Sequence, residues 1–107
     1  MNSFTLNIYF MIIVHDIFIC KPGNASKLAK MFKDAMAGNS EFVHIMTDLS
    51  GQYNRVVMES KYENLSAYEK NFEKYMKDAE VMKKMKEAMA GYQEMYLTGS
   101  REIYQVW

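Results

Sequence analysis

The sequence predicts an α+β domain in which two helices cover one side of a four-stranded antiparallel sheet, in the order β-α-β-β-α-β. Three observations carry this. Runs rich in Ile, Val, Phe and Tyr occur at "MIIVHDIFIC", "EFVHIMTDL", "NRVVMESKY" and "MYLTGSREIYQVW". The two segments between them repeat apolar residues at helical spacing. Pro and Gly punctuate the junctions. The order is that of the ferredoxin-like split βαβ plan.

The first strand ends at Lys21-Pro22-Gly23-Asn24, where Pro and Gly stop extended pairing and Asn24 is placed to cap a helix. From there Ala25, Leu28, Ala29, Phe32, Ala35 and Met36 form one apolar face, with Lys27, Lys30, Lys33 and Asp34 opposite. Gly38-Asn39 supplies the stop. The next two strands read as a hairpin around Ser50-Gly51-Gln52-Tyr53. Ser66 and Glu69 have capping-box spacing, which starts the second helix near them. Its apolar face runs through Tyr68, Phe72, Met76 and Met82 to Met89, and Gly91 closes it. The period drifts between Asp78 and Val81, the mark of a bend or a split into two helices. The last strand carries an expected irregularity at Gly99.

A chain of 107 residues suits one domain, expected over residues 11–107, with residues 1–10 as an N-terminal extension ahead of Met11. Thirteen basic and thirteen acidic residues cancel, so no overall field attracts nucleic acid or an acidic membrane. The longest apolar run, Ile8 to Val14, is far shorter than a membrane span. No basic residue precedes Lys21, which argues against a signal peptide. Cys20 stands alone, excluding an intrachain disulfide and any CxxC motif, and the expected compartment is the cytoplasm.

The first strand is apolar on both faces: Ile12, Val14 and Phe18 on one, Ile13, Ile17 and Ile19 on the other. A sheet with one solvated face alternates apolar and polar residues more cleanly. An exposed apolar sheet face marks an interface, and the simplest partner is a second copy packed sheet to sheet. A homodimer is therefore expected.

The strand ending in "KPG", the hairpin leading into "VVMESKYENLSAYEK" and the closing "SREIYQV" resemble the dimeric α/β-barrel superfamily, within it the small NIPSNAP-like and antibiotic-biosynthesis-monooxygenase-like domains. The resemblance covers the chain from Met11 onward and rests on fold signatures, not on a catalytic motif. It implies two ferredoxin-like protomers sharing a barrel, with a pocket between each sheet and its own helices. It implies either a small-molecule-binding dimer without an assignable reaction, or a cofactor-independent monooxygenase or isomerase acting on a small aromatic or polyketide-like substrate. The haem-degrading branch uses an Asn on the first strand, and a His and a Trp at or near the second helix. Here the strand position, counted back from Gly23, holds Asp16; Met85 or Lys86 stands near the His position, and the lone tryptophan is Trp107. No haem and no other cofactor is implied.

His15 and Asp16 interrupt the first strand side by side, so they point to opposite faces and cannot act as one acid–base pair. Aligned with the family, Asp16 lies on the helix-covered side, either as a pocket acid that acts as a base or binds a ligand, or as a structural carboxylate held by Tyr, Lys or backbone groups. A tyrosine partner would give a hydrogen-bonding floor for an aromatic substrate. His15 faces the barrel, as an interface histidine or a titrating group. His44 is expected to share a face with Phe42 and Met46, and two histidines without HxH or HxxxH spacing make a poor metal site. On the third strand Arg55 and Glu59 point away from the helices, where they are expected to pair. The eleven methionines fit core spacing better than a copper site.

Overall fold

The computed structural model describes residues 11–107. Four strands, β1 (Ile12–Cys20), β2 (Phe42–Thr47), β3 (Arg55–Tyr62) and β4 (Tyr96–Gln105), form one sheet in the order β2-β3-β1-β4 with every neighbouring pair antiparallel. Between them lie α1 (Ala25–Ala35), α2 (Leu65–Lys77) and α3 (Ala79–Ala88), followed by a 3₁₀ turn at Tyr92–Glu94. This is the expected ferredoxin-like plan, with the drift at Asp78 resolved into a true break. Asp78 is extended, and its Oδ1 accepts from Glu80 N and Val81 N at 3.1 Å, so it stops α2 and caps α3. The predicted extension, residues 1–10, lies outside the described residues.

One end of the covered face is a dry core. Leu28 and Phe32 of α1 bury against Cys20 of β1, Val56 of β3 and Met89. Leu28 and Val56 are wholly inaccessible. Phe18 packs its ring on Phe32 and on Tyr96, at 5.0 and 4.9 Å between centroids. Burial pushes the Cys20 thiol pKa up, so this residue behaves as a small hydrophobe.

Several local expectations are corrected. Asn24 has a helical backbone, and its side chain does not cap α1; its carbonyl accepts from Leu28 N instead. The cap of α2 is Asn64, whose Oδ1 accepts from Ala67 N at 2.8 Å, which leaves Ser66 inside the helix. Gly99 sits in regular pairing opposite Phe18; the irregularity comes just before it in β4, where the register shifts between Ile19 and Cys20. A second shift, between Phe42 and His44, sets Phe42 opposite Ser60 and His44 opposite Glu59. Phe42 and His44 therefore do not share a face, because a bulge reverses the side-chain alternation.

Candidate functional site

Where α2 and α3 cross the sheet, packing is looser. Neither helix has a fully buried residue, and Phe72 and Met76 remain 51% and 56% exposed although they line the interior. A cavity of about 230 Å³ lies beneath them, floored by Val14, Asp16, Met58 and Ser60 and roofed by Tyr68, Phe72 and Met82. A second lobe of about 570 Å³ shares Asp16, Met58, Met82 and Arg101 with it and runs on toward Phe18 and Tyr96. An apolar void of about 150 Å³ is enough to hold benzene.

The junction of the lobes is charged. Asp16 on β1 and Arg101 on β4 lie directly opposite each other, and Arg101 donates Nε–H to Asp16 Oδ1 at 2.5 Å. Asp16 is 15% exposed and Arg101 48%. The hydrogen bond from Arg101 to the carboxylate is the main reason the guanidinium pKa is raised. Its carbon stands 5.8 Å from the centroid of the Tyr68 ring, a cation–π distance. Tyr62 meets Tyr68 edge to face, and its hydroxyl accepts from Asn71 at 3.3 Å; the Tyr75 hydroxyl accepts from Asn39 at 3.0 Å. Burial raises the Tyr62 phenol pKa, keeping it a neutral donor.

Asp16 thus lines the cavity, and its hydrogen-bond partner is Arg101, which is none of the Tyr, Lys or backbone groups considered for it from the sequence. His15 lies on the other face of the sheet, away from this cavity. There its Nε2 lies 2.8 Å from Glu59 Oε2, while His44 Nδ1 lies 3.3 Å from Glu59 Oε1. Glu59 is therefore not the partner of Arg55, which donates to Gln52 at 2.9 Å. Glu59 lies directly opposite both histidines in the two ladders, whereas Arg55 is four residues, two periods of the pleat, away along β3. Among the described residues, no three His, Cys, Asp or Glu side chains are grouped to hold a metal ion, and no helix is long and apolar enough to cross a membrane.

The NIPSNAP family model matches residues 16–98, most of the chain, from within β1 to the start of β4. The chain belongs to the NIPSNAP family. A family member from Agrobacterium tumefaciens str. C58 shares the fold with a TM-score of 0.75 at 12% identity, over 92% of this chain and 88% of its own. A NIPSNAP-like domain protein of Burkholderia xenovorans follows at 0.71 and 16%, over 92% and 96%. A putative antibiotic biosynthesis monooxygenase of Chloroflexus aurantiacus J-10-fl gives 0.61 at 6%, over 91% and 93%. No curated protein matches the sequence.

Arg101 is the site residue that sequence reading missed. It lies just past the segment the family model matches, and its link to Asp16 needs the β1–β4 register. A signal existed: the plan makes β1 and β4 neighbours, and each carries a charge of opposite sign near mid-strand.

Proposed function

We propose that the protein is a homodimer that binds a small organic molecule in the cleft between its sheet and helices. The observation that carries this reading is the cavity itself: an apolar space with one ion pair at its centre and half-exposed aromatic and Met side chains along its roof. Small-molecule sites combine these features, a mostly apolar wall with a few convergent polar groups. The Met lining adapts to different shapes. Support for the dimer comes from the open sheet face, where Ile13, Ile17, Ile19, Val57 and Met46 leave apolar surface uncovered by any helix. In this reading His15 belongs to the interface, Asp16 to the pocket, and neither nucleic acid nor a membrane is a partner. A lone buried thiol fits a reducing cytoplasm.

An enzymatic form of this reading, cofactor-independent oxygenation or isomerisation with Asp16 as base, draws support from the monooxygenase-like fold neighbour. Arg101 already occupies Asp16 Oδ1, so only Oδ2 is left to take a proton. Asp16 is better placed to orient Arg101 than to accept protons.

Native mass spectrometry on protein taken gently from its own cells tests the reading. The expected species is twice the 12.6 kDa chain, with added mass from a retained ligand. A monomer would remove the dimer. A bare dimer that takes up no small molecule on exposure to a cell extract would remove the binding role.

A further inference from the structure

The polar groups around the cavity are not balanced between donors and acceptors, and the imbalance specifies a ligand. Arg101 spends Nε–H on Asp16, and among the described residues no other hydrogen bond is made by its terminal nitrogens. The Tyr62 and Tyr75 hydroxyls each accept from an amide, which leaves both phenolic protons free to donate. Against these donors stands one anionic acceptor, Asp16, already engaged. The charged residues lining the two lobes are Asp16, Arg101 and Lys86, a balance of one positive charge. Glu69 and Glu73 share a separate outer groove with Arg101, and neither forms an ion pair with it among the described residues. Apart from the neutral side chains of Asn39, Ser60 and Asn71, the rest of the first lobe's wall is Met, Val and aromatic carbon.

Resting on the cavity reading above, we infer that the ligand is a small aromatic carboxylate. Its anion sits on the free edge of the Arg101 guanidinium, within reach of the phenol donors, and its ring lies among the Met and Tyr side chains. Asp16 acts as a positioning residue: it holds Nε and turns the two terminal nitrogens toward the cavity, and that planar fork matches a carboxylate bidentately. Tyr68 backs the guanidinium and restricts its rotation.

The test titrates naphthoate, naphthamide and naphthylmethylammonium, three probes alike in shape and different in charge, into the full chain carrying ¹³C-methyl methionine. Met58, Met82 and Met85 line both lobes, whereas Met46 lies on the opposite face of the sheet and serves as the internal control. Naphthoate is expected to shift the three cavity methyls and not Met46, and to bind about tenfold tighter than the amide, as a charge-assisted hydrogen bond implies. Arg101→Lys should retain part of that preference. Arg101→Gln combined with Asp16→Asn, which leaves no lone buried charge, should bring the acid and the amide to within about twofold. Amide or ammonium binding as tightly as the acid in the wild-type chain would overturn the anion assignment while leaving the cavity reading in place. So would a preference for the acid that survives loss of Arg101. If no probe moves the cavity methyls, the cavity reading itself falls. The wild-type comparison decides even if a variant does not fold.

Discussion

His15 and Glu59 meet across the β1–β3 ladder on the open face of the sheet, with Nε2 2.8 Å from Oε2, and His44 approaches the second oxygen from β2. An ionised carboxylate only accepts, so both rings must present N–H to it, His15 through Nε2 and His44 through Nδ1. The hydrogen bond from His15 is the largest influence on Glu59 and lowers its carboxyl pKa. A group with a depressed folded pKa stabilises the fold above its unfolded value and loses that contribution as the pH falls through the folded value. The wild-type chain should therefore exceed Glu59→Gln in stability by about 1 kcal/mol near neutrality. The gap should close as the solution is acidified below the ordinary carboxylate value of 4.5. Urea unfolding of both proteins across that window measures it, and a gap that stays constant with pH would refute the assignment.

The face that carries this cluster is apolar around it, and Ile17 lies at its centre, paired to Val57 on one side and Ser100 on the other. Ile17→Lys should leave the monomer folded, since the side chain is only half-buried without a partner. It would place a charge in any sheet-to-sheet contact, a penalty of several kcal/mol per buried ion. Light scattering behind a sizing column should give a dimer mass for the wild-type chain and a monomer mass for the variant. A variant that still weighs as a dimer would place the interface elsewhere.

How much of this could be read beforehand follows from which contacts are local. The element order, the break at Asp78 and the opposite orientations of His15 and Asp16 depend on periodicity within single segments, and all were legible. The partners of those two residues were not. Glu59 reaches His44 only because a bulge after Phe42 shifts the alternation of β2, and Arg101 reaches Asp16 only through the β1–β4 register. Register is a property of paired strands, and a bulge of one residue exchanges the faces. The cavity was illegible for a related reason. Phe72 and Met76 carry helical core spacing, and nothing in that spacing distinguishes a side chain pressed on the sheet from one held over a void.

Leu28 is the best-buried large side chain of the dry core, enclosed by Cys20, Phe32, Val56 and Met89. Leu28→Ala should cost about 2–5 kcal/mol, the range for deleting a buried leucine when its surroundings relax only in part. Thermal unfolding reads this directly. A loss under about 1 kcal/mol would mean that Met89 and its neighbours collapse into the gap, extending to the core the plasticity proposed for the cavity.

Asp78 holds the first turn of α3 through two backbone N–H groups while its own backbone interrupts the helix. Asp78→Ala should cost about 1 kcal/mol and Asp78→Asn much less, since Asn caps nearly as well. Equal losses in both variants would show that the carboxylate's charge at the start of α3, and not the cap geometry, sets the contribution.

The Asp16–Arg101 pair joins a mostly buried carboxylate to a half-exposed guanidinium, and its two members should not be equally costly to lose. Arg101→Gln leaves Asp16 charged, poorly hydrated and without its donor, whereas Asp16→Asn leaves an arginine that can turn toward water. The first should destabilise by about 1–3 kcal/mol and the second by less. The double variant should cost less than the sum, giving a coupling of about 0.5–1 kcal/mol after allowance for solvent screening at Arg101. The raised guanidinium pKa keeps Arg101 charged throughout the alkaline range in which the fold can be studied, so the coupling should not fade as pH is raised from neutrality. Chemical denaturation of the four proteins at two salt concentrations completes the cycle. A coupling indistinguishable from zero at low salt would mean that the pair's geometry is incidental, and Asp16 could then no longer be the residue that aims Arg101 into the cavity.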